Sequence, residues 1–473
     1  MTVESAAESP SIERFGYQQE LKRSLSFTDL VVYGLIFMVP IAPFGIFGSV
    51  FQGSGGMVAL AYAIGMVAMM FTALSYAQMA KAFPMAGSVY TYAGRGIAAP
   101  IGFLAGWVIL LDYVLVPSLL YLIAGVAMNS FVPGVAVGWW IAGFVVLNTI
   151  VNYLGIEMTA RVTRLMLFGE LVVLAIFVVM GIVGLAQGKG RGFSWEPIFN
   201  NSAFTWSLIL GAVSIAVLSF LGFDGISMLA EENRESARQI GRSMVFALLV
   251  VGVLFIVQTW VASLFVVDPD GLIANGDPGG TAFYDAAEVA GGHWLNVLTA
   301  VATAIAWGFA NSLVAQAATS RLLFAMARDR QLPSFLARVN QRTRVPANAT
   351  FLVAAVSLGL GIFMWRRTNG ITELVGLINF GAMTAFLALH VSVVWYYFGR
   401  RGSRDFWRHL IAPAIGFAIL AAVVYNAKIA AQIVGGIWFG VGVLILIGLY
   451  LAGRRPRLSG LAAEEDRPAS VPA

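Results

Sequence analysis

No cysteine occurs in the 473 residues. That removes disulfides, thiolate metal sites and cysteine nucleophiles from consideration. Histidine is nearly as scarce: His293, His390 and His409 lie far apart and spell out no metal-binding cluster. Charge is thin as well. Asp, Glu, Lys and Arg make up 11% of the chain, against about 25% in a typical soluble domain. Residues 30–80 carry no charge at all, and a run of that length suits lipid and is long enough for two crossings. A signal peptide is not expected, because residues 1–27 are polar and have no apolar core.

What fills the chain is apolar, 59% of its residues. Twelve segments are expected to cross the membrane, at roughly 28–52, 56–80, 98–128, 134–154, 162–186, 205–230, 241–267, 294–326, 347–365, 372–398, 409–427 and 430–452. The fold class is therefore read as an all-α polytopic membrane protein. One membrane domain, 28–452, lies between polar tails, 1–27 and 453–473, of which 1–24 and 457–473 are expected to be disordered. With the N-terminus in the cytoplasm, only Lys189, Arg191, Arg366, Arg367 and Lys428 fall outside, and the other 24 of 29 Lys and Arg fall inside. The positive-inside rule asks for that asymmetry, so both termini are read as cytoplasmic. It also accounts for the net charge of +5 without a nucleic-acid partner. The longest outer loop, about 268–292, has turn signals in Asp268-Pro269-Asp270-Gly271 and Gly276-Asp277-Pro278-Gly279-Gly280, and 282–290 reads as a short helix over the mouth.

Two segments are interrupted. The first contains Val39-Pro40-Ile41-Ala42-Pro43-Phe44-Gly45-Ile46-Phe47-Gly48, where the prolines remove backbone donors and the glycines loosen the chain. The sixth contains Ser219-Phe220-Leu221-Gly222-Phe223-Asp224-Gly225. A broken helix at bilayer depth is tolerated only where its freed backbone faces protein or a water-filled cavity. Breaks at corresponding places in two halves of a chain point to a transporter's substrate site. Pro43, Phe44, Gly45, Ile46, Phe47 and Gly48, with Phe220, Gly222, Phe223 and Asp224, are accordingly substrate-site candidates. The aromatics among them would offer cation–π faces and gates.

Three intramembrane carboxylates stand out. Asp112, beside Tyr113 in segment three, costs about 2.5–3.5 kcal/mol to insert. It reads as the contact for a substrate amine or a proton acceptor, or else as an interhelical hydrogen bond to Asn148 or Asn152. Glu170 stands about 13 Å up segment five from Arg161. It reads as a proton-exchanging site or as a structural partner of Arg164. Asp224 reads as an amine contact or as a brace for unwound backbone. Glu231 and Glu232 are expected in solvent at the end of segment six. In segment eight, Asn311, Ser312 and Gln316 form a polar stripe that lines a cavity or bonds neighbouring helices.

These motifs resemble a known family. Phe83-Pro84-Met85-Ala86-Gly87-Ser88-Val89-Tyr90, Gly102-Phe103-Leu104-Ala105-Gly106-Trp107, the segment-six break with Glu231-Glu232, and Ser320-Arg321-Leu322-Leu323-Phe324-Ala325-Met326-Ala327-Arg328-Asp329-Arg330 are similar to runs of the amino acid–polyamine–organocation permeases. The resemblance spans segments one to ten. It implies a LeuT-like fold with five-plus-five inverted repeats, discontinuous helices 1 and 6, and secondary transport in a bacterial inner membrane. Leu110-Leu111-Asp112-Tyr113, Gly222-Phe223-Asp224-Gly225 and Leu377-Ile378-Asn379-Phe380-Gly381-Ala382 are similar to the bacterial putrescine importers within that family. There are two departures. Those importers carry an acidic residue where this chain has Gly45, and the amides around Gly45 and Gly48 would suit a carboxylate. Several proton-coupled members place a lysine where Glu170 stands.

The resulting expectation is a permease, not an enzyme, that imports a polyamine such as putrescine or, as the alternative, an amino acid. Its site residues are Asp112, Tyr113, Asn311, Ser312 and the two breaks, with Glu170 for proton coupling. No bound cofactor or metal is expected, the coupling ion being H+. A membrane enzyme would need clustered catalytic side chains that the chain lacks. A sensor would need a sizeable soluble domain.

Overall fold

The computed structural model describes residues 23–277, 280–329, 331–367, 370–451 and 453. Most of both expected tails, the Pro278-Gly279 turn and Arg330 lie outside the described residues. The remainder is helical, with no strand among the described residues beyond an isolated bridge between Leu25 and Asn233.

Ser26 caps α1 (Phe27–Met38) with a capping box: its hydroxyl accepts the Asp29 amide at 3.3 Å while Asp29 Oδ2 accepts the Ser26 amide at 3.0 Å. The helix stops at Val39, whose φ of +54° strains a β-branched residue. Helix α2 (Pro43–Gly53) then restarts, bent by 55° from α1. Pro43 stands in its first turn, where a missing N–H is tolerated. This corrects the expected position of the first break. The unwound residues are 39–42, and Gly45 and Gly48 lie inside α2; the Gly45 amide bonds to the Ala42 carbonyl at 3.2 Å. The second proline starts a helix, so the break ends there.

The chain continues through α3 (Val58–Ala82), α4 (Ser88–Gly96), α5 (Ala99–Phe131), α6 (Val137–Tyr153) and α7 (Ile156–Ala186). Segment six begins as α8 (Trp206–Ala216) and then degrades into two 3₁₀ stretches, Val217–Phe220 and Phe223–Leu229. Gly222 between them has φ +118°, and a Cβ there would strike the Phe37 ring and backbone. Only glycine lets the second break pass this close to α1. After it come α9 (Ala237–Ser263), α10 (Pro269–Asn275), α11 (Ala282–Gly291) and α12 (His293–Ile305). A π stretch, Ala306–Asn311, joins α12 to α13 (Ser312–Arg328), and α14 (Ala347–Trp365), α15 (Gly370–Val393), α16 (Ala412–Tyr425) and α17 (Ile429–Leu451) complete the chain.

Among the described residues ten helices are long and apolar enough to cross a membrane, or eleven if the bent α1–α2 pair is one span; α6 is apolar but 17 residues long. The core wraps around the two breaks. Helix α17 packs peripherally, held by the stacked Trp107 and Trp438 rings, whose indoles each donate to the other's carbonyl at 2.8–2.9 Å.

Candidate functional site

A cavity of about 30 Å³, room for a water or two, lies where the breaks meet. Phe37, Met38 and Ala42 line it from the first break, and Leu218, Ser219, Leu221 and Gly222 from the second. Asp112, Val116, Leu119 and Leu120 come from α5, and Trp307 and Asn311 from the π stretch. The lining is mostly apolar. Asp112 is buried there, and no hydrogen bond ties its carboxylate to any described residue. Neither Asn148 nor Asn152 reaches it: Asn148 bonds Tyr121, Gly308 and Ser312, and Asn152 bonds Leu313 and Gln316. The interhelical bond expected as Asp112's alternative is therefore absent. The other polar atoms in the lining include Asn311 Oδ1, an acceptor, and Trp307 Nε1, a donor, and both are buried without partners.

Asp224 is close by but differently placed. Its Oδ2 accepts hydroxyls from Tyr113 at 2.6 Å, Ser88 at 3.3 Å and Tyr76 at 3.4 Å. Tyr76 and Ser88 are themselves 2.7 Å apart. This cage ties the second break to α3, α4 and α5, and Asp224 does not line the cavity. Phe220 and Phe223 are also turned away, the first against Tyr62 and Phe255, the second against Tyr76 and Phe386.

Above the cavity, on the side of α10 and α11, the α2 aromatics form a plug. Phe44 stacks on Phe283 at 3.9 Å and meets Phe177 edge-on, while Phe47 meets Phe283 edge-on. Helix α11, expected as a short helix over the mouth, thus seals one end. Gly45 admits the Trp307 ring, since a Cβ there would lie 3.1 Å from it. Gly48 admits the Asp277 side chain in the same way. Pro43, Phe44, Gly45, Ile46, Phe47 and Gly48 thus stand between the cavity and this end, outside the cavity lining.

The opposite end is closed by charge. Arg321 Nε donates to Glu232 Oε1 at 2.7 Å with both side chains buried, and Arg328 Nη2 donates to Glu231 Oε1 at 2.9 Å. Glu231 Oε1 also accepts the Ala86 amide at 3.1 Å. The amides of Ser24 and Leu25 donate to the Glu232 carbonyl at 3.0 and 3.1 Å. Solvent exposure, expected for Glu231 and Glu232, is thus corrected. Segment six unwinds before it ends, which folds both carboxylates back under the arginines of α13.

Glu170 is buried on α7, and neither of its oxygens is hydrogen-bonded to a described residue. Arg164, its expected structural partner, pairs instead with Asp29 at 2.5 Å. The polar stripe of segment eight divides: Asn311 lines the cavity, whereas Ser312 and Gln316 bond α6 and α5 residues. Trp307 and the π stretch carried no sequence signal. A tryptophan in an apolar segment is ordinarily packing. Among the described residues no group of three or more His, Asp or Glu side chains is gathered for a metal.

A broken first helix, a broken sixth segment and a carboxylate between them match what the motifs led us to expect, and the family comparison decides the matter. A model described as amino acid permease matches residues 27–451. The chain belongs to this family, within the amino acid–polyamine–organocation superfamily. It is 31% identical over 446 residues to the low-affinity putrescine importer PlaP of Escherichia coli K12, covering 92% of this chain and 96% of that protein. It is 26% identical over 427 residues to the branched-chain amino acid permease BcaP of Bacillus subtilis, covering 85% and 87%. It is 26% identical over 399 residues to the vacuolar cationic amino acid transporter 4 of Arabidopsis thaliana, covering 79% and 63%. The permease is a multi-pass membrane protein and a transporter of small molecules, not an enzyme.

Proposed function

We propose that this permease imports a polyamine such as putrescine, driven by the proton motive force. It would do so through twelve spans arranged as five-plus-five inverted repeats, with both termini in the cytoplasm. The observation that carries the substrate reading is Asp112, a carboxylate buried in the cavity lining that no described residue pairs or hydrogen-bonds. A buried carboxylate must either take up a proton or meet a cation, and the cavity gives a cation access to Asp112. Asn311 Oδ1 adds a second acceptor, so the site asks for a donor-rich head such as an ammonium, with the Trp307 ring as a cation–π surface. The apolar remainder suits a methylene chain. Asp224, caged by three hydroxyls, braces the second break in this conformation. Glu170 is the proposed proton-exchanging group, because it is buried with no counter-charge among the described residues. The cavity is too small for a diamine, so substrate enters when the aromatic plug opens; the paired arginine end stays shut.

A second reading has its own observation. The amides of Val39 and Ile41, in the first break, have no acceptor among the described residues. Free amides beside a half-helix start suit the carboxylate of an amino acid. The deciding experiment is radiolabelled putrescine uptake into proteoliposomes under an inside-alkaline gradient, competed with spermidine, ornithine, lysine, alanine and glutamate. Saturable uptake blocked by diamines but not by alanine is expected. Alanine or another amino acid transported in place of putrescine would sink the polyamine reading.

A further inference from the structure

Segment eight is one continuous helix from His293 to Arg328 whose middle turn, Ala306–Asn311, is a π turn. Such turns are rare, geometrically unfavourable, and concentrated at functional sites. This one contributes Trp307 and Asn311 to the cavity. Its hydrogen bonding shows how it is kept open. In an α-helix the Ser312 amide would bond to the carbonyl of Gly308, four residues back. Here it is shared between the Phe309 carbonyl, three residues back, and the Trp307 carbonyl, five back, and passes over Gly308.

The Gly308 carbonyl is taken by side chains instead. Ser312 Oγ donates to it at 2.7 Å and Asn148 Nδ2 at 3.1 Å. Asn148 Nδ2 also stands 2.8 Å from Ser312 Oγ and 3.1 Å from the Tyr121 hydroxyl. Among Gly308, Ser312 and Asn148 the proton directions close in one way, the two amide protons leaving Tyr121 only a shared contact. A carbonyl can only accept, so the nitrogen and not the oxygen of the Asn148 amide faces Gly308. Ser312 gives its proton to Gly308 and keeps a lone pair for Asn148. Gly308 is held close to its neighbours, since a Cβ there would lie 2.5 Å from the Ala124 methyl and 3.0 Å from the Phe144 ring. Both Asn148 and Ser312 are fully buried.

We propose that Asn148 is a positioning residue of the permease: with Ser312 it holds the Gly308 carbonyl away from the helix and so maintains the π turn that aims Trp307 and Asn311 at the substrate. The inference rests on the reading that this cavity is the substrate site. Without the clamp, the Ser312 amide recaptures Gly308 and the turn closes to α geometry. The helix on one side then rotates by about 100° against the other, one residue's worth of α-helix.

The chain has no cysteine, so Asn311→Cys supplies a single thiol. Its labelling by a small cationic methanethiosulfonate is followed in the purified permease, with and without Asn148→Leu. Losing the clamp's buried hydrogen bonds is expected to slow labelling about tenfold or more. In the otherwise wild-type chain, Asn148→Leu is expected to raise the KM for putrescine to a similar extent with little change in maximal rate. Ser312→Ala shifts both readouts the same way, by about threefold to fivefold, and carries the test if Asn148→Leu does not fold. A merely structural role would lower the yield of folded protein and leave the labelling rate of the folded fraction alone. Unchanged labelling and KM in a monodisperse variant would overturn the clamp. Putrescine protection separates the two ideas. Slower labelling in Asn148→Leu with no protection by any amine would keep the clamp and remove the substrate reading. Protection with unchanged labelling would do the reverse.

Discussion

Two pairs of buried carboxylates divide this permease. At one end Glu231 and Glu232 are buried at 1% and 2% exposure, each against an arginine of α13. In the middle Asp112 and Glu170 are each 5% exposed, and among the described residues neither meets an arginine, a lysine or a hydrogen-bond donor. Equal burial with unequal pairing is the informative contrast. Where a buried charge serves to close the protein, the protein supplies the counter-charge. Where the counter-charge comes and goes, the protein must leave it out. An unpaired carboxylate is then a standing destabilisation kept for use.

The contrast breaks most visibly at the paired end. Removing one member of a buried pair leaves an uncompensated charge, at a cost of about 3–5 kcal/mol. Arg321→Met is therefore expected to lower thermal stability in detergent sharply, by the largest shift of any substitution considered. The double change Glu232→Leu with Arg321→Met is expected to recover much of that loss, because replacing both ions with apolar groups is often near neutral. Uptake would separate structure from gating: a stable double variant with leaky, non-saturable uptake marks the pair as a seal. If Arg321→Met alone leaves the melting point unchanged, the pairing does not hold this end.

Asp112 should behave in the opposite sense. Asp112→Asn removes an unpaired charge, so stability is expected to hold or rise slightly. Uptake of a cationic substrate is expected to weaken tenfold or more, taking a charge-assisted bond as about 1.5–3 kcal/mol. Unchanged transport with unchanged stability would remove Asp112 from the site. A fall in stability would mean that it has a structural partner after all.

Asp112 was legible in the sequence for the reason that makes it informative: a lone carboxylate amid apolar residues has few explanations. Ten or eleven of the twelve expected spans were legible because hydropathy needs only length and composition. The poorest boundary is that of segment seven, expected at 241–267 and found as a span over Ala237–Ser263. The first break was legible as an event but misplaced by a few residues, since proline ends one helix and opens the next. The pairing of Glu231 and Glu232 was not legible. Their partners stand 97 and 89 residues away, and only the unwinding of Phe223–Leu229 folds them inward. The π turn was invisible because its residues, Ala306 to Asn311, carry no signature; it is made by Asn148, a residue of another helix.

The smallest effect belongs to Glu170, and it sharpens the comparison within the unpaired pair. Asp112 faces the cavity, whereas both oxygens of Glu170 are sealed in the protein. A sealed carboxylate cannot hold a substrate amine, but it can hold a proton that leaves when access alternates. Glu170→Gln mimics the protonated form permanently. Substrate binding, read by competition in the absence of a gradient, is expected to stay within twofold of the parent. Accumulation against a gradient is expected to vanish. For one proton per substrate and a membrane potential clamped at zero, a one-unit pH gradient supports at most about tenfold accumulation, about 1.4 kcal/mol. Parent proteoliposomes should approach that figure under an inside-alkaline gradient, while the variant should only equilibrate, at a rate that no longer rises as the outer pH falls. If the variant still concentrates substrate, the proton is carried elsewhere and Glu170 is a buried carboxylate without a coupling role. If binding falls together with accumulation, Glu170 belongs with Asp112 as part of the site, and the line drawn here between the two unpaired carboxylates is wrong.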